Sequence, residues 1–376
     1  MNRTFVITIA AMTAALLNGA VSAAEDPGPD IKLGGYVKVD FIQDFDPAGN
    51  AYQWKVSSIP VSGTAAASQG GQTTIHARET RLTLTLHEDT PRGLFKAYVE
   101  GDFYGDNNAF RIRHAYGEYG EFLGGQTWTT FMDISARPRS LDYEGPDAEI
   151  FVRQAMIRWT RPISEQLTFA VAVEQPGGQF VTPDTLSGSA RSNVPDIPAS
   201  LRYHVSRGHV QLAGIARQIR FDGETGSPEV TTTGYGANLS FRLNTTGKDA
   251  LMGEVAAGKG IGRYIESFNG EHADAVFVSD VDMEALQAAS AVIGYEHHWN
   301  ESLQSSLAFA MATLDEDSRL SPSAIKETKD ARFNVIWAAY RKVDIGGEML
   351  WGERENQNGA TGEAWRLQFS MIYKLI

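Results

Sequence analysis

The chain has 376 residues, 46 of them acidic and 33 basic, a formal charge of -13 at pH 7, and no cysteine. The acidic balance argues against nucleic-acid binding, and the lack of thiols excludes disulfide staples and thiolate metal sites. Beyond the N-terminus no apolar run is long enough for a spanning helix, so any membrane embedding must use strands closed into a barrel.

Residues 1–23 have the layout of a cleaved signal peptide: Arg3, an apolar stretch from Phe5 to Leu17, and Val21-Ser22-Ala23 as the small-residue cleavage site. That stretch falls short of the roughly 20 residues that span a bilayer. Residues 24–30, with Pro27 and Pro29, form a short periplasmic lead, and no linker or composition shift divides residues 31–376.

From Ile31 the chain alternates with period 2. Leu33, Val37, Val39 and Phe41 fall on one face, with Lys32, Lys38 and Asp40 on the other. Leu82, Leu84 and Leu86 oppose Arg81, Thr83, Thr85 and His87, and Phe95, Ala97, Val99 and Phe103 oppose Lys96, Tyr98, Glu100 and Asp102. After Gly105 to Asn108, Phe110 and Ile112 alternate with Arg111 and Arg113; the chain then reverses at 117–120 into a run through Phe122, Gln126 and Trp128. The wording of this region, KAYVEGDFYG, FRIRHAYGEYG and GGQTWTTFMD, resembles the DcaP-like outer-membrane porins of Gram-negative bacteria, strongly over residues 31–160 and as a pattern beyond.

Eleven further runs lie near 150–160, 166–175, 199–205, 208–221, 233–244, 249–259, 288–299, 302–314, 331–341, 343–353 and 363–376, which with the first five makes sixteen. Connections alternate between short (88–93, 161–165, 206–207, 245–248, 300–301, 342) and long (43–75, 176–198, 222–232, 260–287, 315–330, 354–362), with 105–108 the one short exception on the long side. Short periplasmic turns and long external loops are the habit of outer-membrane barrels, and an even strand count puts both termini in the periplasm. Tyr116, Trp128, Trp159, Tyr203, Tyr235, Trp299, Trp351 and Trp365, near strand ends, suit the interfacial aromatic girdles.

The expected fold is thus an all-β transmembrane antiparallel barrel of about 16 strands with a loop folded into the channel. The resemblance implies a homotrimer for uptake of small organic anions such as dicarboxylates, embedded in outer-membrane lipid and lipopolysaccharide, with no cofactor and no enzymatic step. The chain departs from the family in lacking a longer N-terminal coiled-coil segment and in ending on Leu375-Ile376 rather than an aromatic residue.

In such a barrel the polar face lines water, so Arg81, Lys96, Arg111, Arg113, Arg158, Arg202 and Arg242 are the candidate channel lining. Arg111 and Arg113, two apart on one strand, present adjacent guanidinium forks suited to a carboxylate. The alternative is that these arginines pair with Glu79, Glu100 and Asp102 and only solvate the wall. The segment 129–149, after the fifth run, is the candidate constriction, carrying Arg137, Arg139, Asp142, Tyr143 and Glu144. Both signs of charge opposite a basic wall would set a transverse field there.

Other signals are weak. Glu296, His297 and His298 are adjacent and cannot all converge on a metal from a strand, and Gly258 to Gly262 lacks the setting of a phosphate loop. The acidic groups Asp280, Asp282 and Glu284, and Asp315 to Asp317, read as solvated loops or divalent-ion bridges to lipopolysaccharide. A non-conducting structural or adhesive barrel, a barrel hydrolase and a secreted soluble β protein are the rival readings.

Overall fold

Alternation of apolar and polar residues builds the wall strand by strand. The computed structural model describes residues 28–91, 93–224 and 226–375, so the expected signal peptide lies outside the described residues. Sixteen wall strands follow in order: β1 Asp30–Asp44, β2 Arg81–Thr90, β3 Gly93–Asp102, β4 Arg111–Tyr119, β5 Phe122–Trp128, β6 Arg153–Pro162, β7 Leu167–Glu174 and β8 Ile197–Val205. The second half comprises β9 Gly208–Gly223, β10 Val230–Asn244, β11 Ala250–Lys259, β12 Gln287–His298, β13 Leu303–Leu314, β14 Ile325–Tyr340, β15 Val343–Asn356 and β16 Thr361–Lys374. All sixteen expected runs appear, with β1 opening at Asp30, inside the expected lead.

Each strand pairs antiparallel with its sequence neighbour, and β1 closes the ring. Its first half pairs with β2, from Asp30 opposite His87 to Tyr36 opposite Arg81, and its second half with β16, from Tyr36 opposite Lys374 to Asp44 opposite Arg366. Closure leaves no long free edge, which is what lets a sheet sit in lipid. Short strands Thr73–His76 and Gly188–Ala190 extend the wall beside β1 and β9, and Ala275–Ser279 with Asp282–Ala285 form a hairpin in the loop between β11 and β12. Among the described residues there is no α-helix, only single 3-10 turns.

The faces are inverted relative to a soluble protein. Leu33 is 66% exposed and Phe369 51%, whereas Lys38 is 1% and Arg366 0% exposed. A sandwich core would bury the first pair and expose the second. Of the expected girdle, Tyr203, Tyr235, Trp299 and Trp365 are exposed outside. Trp351 stands opposite Trp365, and Trp159 lies against Phe169. Tyr116 and Trp128 are not in the girdle: Tyr116 meets Tyr98 and Lys96, and Trp128 packs on His114 and Phe151.

The inner face is not polar throughout. Ala213, Ile215, Ala256, Ala288, Val292, Ala310 and Ala312 point inward and pack on Phe131, Ile150 and Phe151 of one loop and Ile261, Tyr264 and Phe268 of another. Small side chains at these wall positions leave room for the two loops. The segment 129–152 and the loop 260–286 therefore share a hydrophobic core with the wall of β9 to β14. Beneath the outer rim, Trp54, Val56 and Ile59 of the first long loop pack on Leu350 and Ala364.

Candidate functional site

The segment 129–152 leaves β5 and is tied at successive points to residues on the polar face of distant strands. Asp133 accepts from Arg202 at 2.6 Å, Ser240 at 2.9 Å and the His209 ring at 2.7 Å, on β8, β10 and β9. Pro138 lies over Gly294 of β12, where a Cβ would come within 2.3 Å of it. The Arg139 amide donates to Glu296 at 2.9 Å and its guanidinium to Asp344 at 3.2 Å. At the far side, Glu348 of β15 accepts from the Leu141 and Asp142 amides at 2.8 and 2.7 Å, and the Leu141 carbonyl accepts from Lys38 and Gln368. The return path is fixed by the Asp147 amide on Asp330 at 3.0 Å and the Ile150 amide on Glu254 at 2.6 Å.

Between these anchors Tyr143 meets the basic wall. Its phenol oxygen accepts from Arg111 at 2.8 Å, from Arg153 at 3.0 Å and from Arg113. The guanidiniums of Arg81, Arg111 and Arg113 lie 5.9, 5.4 and 5.0 Å from its ring centroid, within cation–π range. Tyr104 packs against the same ring, tilted by 42°, with centroids 4.4 Å apart.

A bulge shapes this wall. Glu100 stands opposite His114 and Gly101 opposite Ile112, so Arg113 is the extra residue on β4. The bulge turns both Arg113 and His114 inward, which plain alternation forbids. Gln126 then donates to the Ile112 and Arg113 carbonyls at 3.4 and 3.1 Å.

The basic groups are extensively paired. Arg111 holds Asp102 at 2.7 Å; Arg113 holds Glu100 at 2.8 Å and Asp102 at 3.1 Å; Arg81 stands 3.5 Å from Glu79 and 3.6 Å from Glu100. Lys96 pairs with Glu118 at 3.0 Å and Arg242 with Glu296 at 2.5 Å. Arg137 folds back onto its own loop, on Glu149 at 2.8 Å and the Tyr143 and Glu144 carbonyls. Gly145, at φ 74, makes this possible, since a Cβ there would lie 2.1 Å from the Arg137 guanidinium.

Asp142 and Glu144 are buried and do not face the basic wall as the sequence suggested. Asp142 accepts from the Trp54 and Glu144 amides at 2.9 and 3.0 Å. Burial pushes its carboxyl up to about 7, against the pull of Arg332 and Arg366. Burial also pushes Asp147 up to about 8, with Asp330 adding to it, and Glu149 to about 8 despite Arg137. A loop carboxyl enclosed by protein is easier to keep neutral than to solvate.

Arg81, Arg111, Arg113 and Tyr143 thus come together, while Lys96, Arg158, Arg202 and Arg242 lie at other points of the wall. Arg153, which the sequence did not single out, completes the cluster. It shares the parity of the outward Ala155 and Ile157, so alternation gave no signal for it. His297 and Asp249 pair at 2.8 Å, and among the described residues no group of ligating side chains could hold a metal ion.

Comparison with known proteins places this architecture. No curated protein sequence matches the chain. Its structure superposes on the crystal structure of the outer membrane channel DcaP of Acinetobacter baumannii with TM-score 0.82 and 19% identity, covering 95% of this chain and 100% of that one. The anion-selective porin from Comamonas acidovorans superposes with TM-score 0.59 at 12% identity, over 93% of this chain and 100% of its own. OmpT of Vibrio cholerae, in-vitro folded and in a trimer form, gives TM-score 0.56 at 8% identity, over 92% and 99%. At these identities the structures show the fold, a porin barrel, and the sequence pattern of DcaP outer membrane protein matches residues 16–375. The chain belongs to the DcaP outer membrane protein family.

Proposed function

We propose that this channel protein passes small hydrophilic solutes passively across the outer membrane and favours organic anions such as dicarboxylates. The observation that carries the reading is the cluster at Tyr143. Five cations, Lys38, Arg81, Arg111, Arg113 and Arg153, face four carboxylates, Asp40, Glu79, Glu100 and Asp102, so the wall itself, counted apart from the buried loop carboxyls Asp142 and Glu144, holds one cation in excess where the loop meets it. In a narrow, low-dielectric passage that excess favours anions. The segment 129–152 acts as the constriction, with Tyr143 rather than its acidic residues presented to the wall.

Membership of the DcaP outer membrane protein family and the barrel itself support a channel role without an enzymatic step. Export by cleavage after residue 23, contact with lipopolysaccharide and assembly as a homotrimer complete the reading. Supporting a trimer, the outward face of β3 to β6 replaces bulky residues with Ala97, Ala115, Gly117, Gly124 and Ala155, a surface shaped for close protein contact. The deciding experiment is the reversal potential of the reconstituted protein in a salt gradient. It should lie on the anion side and move toward the cation side when Arg111 and Arg113 are both replaced by Gln; a double variant with unchanged preference refutes the filter.

A further inference from the structure

Most lumen cations already hold a carboxylate of the protein itself. Arg158, on β6, is different. Its one hydrogen bond among the described residues is to the Trp128 carbonyl at 3.5 Å, at the limit of a useful contact, and among the described residues it has no ion-pair partner. The carboxylates nearest in charge effect include Glu174 and Glu118. Glu174 is occupied by the Thr129 hydroxyl, the Thr130 amide and Gln154 at 2.6 to 2.7 Å, and Glu118 by Lys96.

Arg158 lines a cavity of about 380 Å³ together with Arg202, Thr130, Thr160, Thr168 and Ser200. Thr130 is only 4% exposed, and its hydroxyl oxygen has no hydrogen-bond partner. Trp128 and Met132 add an apolar side to the same space. A guanidinium with free donors, a buried hydroxyl with an unmade bond and an apolar flank are the complement of a carboxylate on a short carbon skeleton. Arg202 cannot serve alone, because Asp133 and Gln211 hold it at 2.6 and 3.0 Å, yet its charge adds to the field.

We propose that this cavity is a binding station for one carboxylate of a small organic anion, with Arg158 as the group that grips it; the proposal rests on the channel reading above. Arg158 is four residues before the end of β6, and Thr168 is the second residue of β7, so the station lies toward the short turns. Arg153, at the constriction, is five residues away on the same strand, or about 17 Å. A solute released from the Tyr143 cluster reaches Arg158 next.

The test uses the full reconstituted protein in potassium chloride, with succinate, acetate and inorganic phosphate titrated on both sides while the current is recorded. Succinate and acetate should reduce the current saturably. Arg158→Gln should raise the half-blocking concentration about tenfold or more. Thr168→Val, which leaves the cation in place, should raise it about threefold. An unchanged half-blocking concentration in both variants overturns the station while the channel reading stands. Phosphate blocking as well as the carboxylates, through the same residues, overturns the assignment to organic anions. A parent that conducts without saturable block also overturns the station, whereas a folded parent that never conducts overturns the channel reading itself.

Discussion

Glu348 is the carboxylate on which the tip of the 129–152 segment hangs. It accepts from the Leu141 amide at 2.8 Å, the Asp142 amide at 2.7 Å, the Ser140 hydroxyl at 2.9 and 3.0 Å and Asn334 at 3.1 Å. Glu348→Ala leaves two buried amides without a partner, at about 1–3 kcal/mol each, so the seated loop loses about 2–6 kcal/mol. At about 1.4 kcal/mol per tenfold, that moves the balance between seated and detached loop by a factor of roughly 30 to 10⁴. Lys38 and Gln368 still hold the Leu141 carbonyl, and Asp344 still holds Arg139, so the loop loosens at its tip without leaving the wall. The wall ladder is untouched, and the barrel should retain its strand circular dichroism and its heat-dependent gel mobility. Single-channel recordings of Glu348→Ala should show a larger mean current with added flicker, and Glu348→Gln, which keeps one carbonyl oxygen, should fall between. A variant with the parent's current and noise would refute the claim that this carboxylate seats the loop across the passage.

Three more outcomes follow from the same geometry. Asp147, facing Asp330, Lys55, Arg332 and Ser267, and Glu149, facing Arg137, Glu254 and Arg332, have their carboxyls pushed up to about 8. Because these lie above the unfolded values, the protonated acids favour the packed loop, and that contribution is lost as pH rises through about 8. Current noise should be low at pH 5 and rise toward pH 9, and Asp147→Asn should flatten part of the rise; a flat profile in the parent would contradict it. Arg113→Gln leaves Glu100 and Asp102 short of a buried partner, at about 3–5 kcal/mol, which denaturant titration of the folded barrel should register; an unshifted midpoint would count against the pairing. Phe369→Arg places a charge on the lipid side of β16 and should cost about 2–4 kcal/mol if the site is near mid-bilayer, visible as a loss of folded yield; full yield would place that side chain elsewhere.

The wall was legible because one alternating pattern serves every strand, and inverting its faces for lipid changes nothing in the pattern itself. Pairing within a hairpin was left open by the sequence as one of two readings, and the structure makes it: Arg111 with Asp102 and Arg113 with Glu100 bridge β3 and β4, neighbours in sequence. Arg202 with Asp133 and Arg139 with Asp344 join a loop to strands distant in sequence, and local sequence holds no record of that. His114 and Arg153 escaped for a different reason. A bulge shifts the first onto the inner face, and the second shares the outward parity of its strand. The inward alanines of β12 and β13 carried a signal, since Ala308, Ala310 and Ala312 alternate with Leu307, Phe309 and Met311. Small residues on an inner face mark where loop side chains pack on the wall.

The absence of cysteine allows the most direct test of an apolar outside around an enclosed, conducting passage. Ile157 is 61% exposed on the outer face of β6, and Thr160 lines the inner cavity three residues later. In protein reconstituted into a planar bilayer, a water-soluble, membrane-impermeant thiol reagent should react with Thr160→Cys and lower the current, and should leave Ile157→Cys unmodified. Reaction at residue 157 with residue 160 silent would contradict the account.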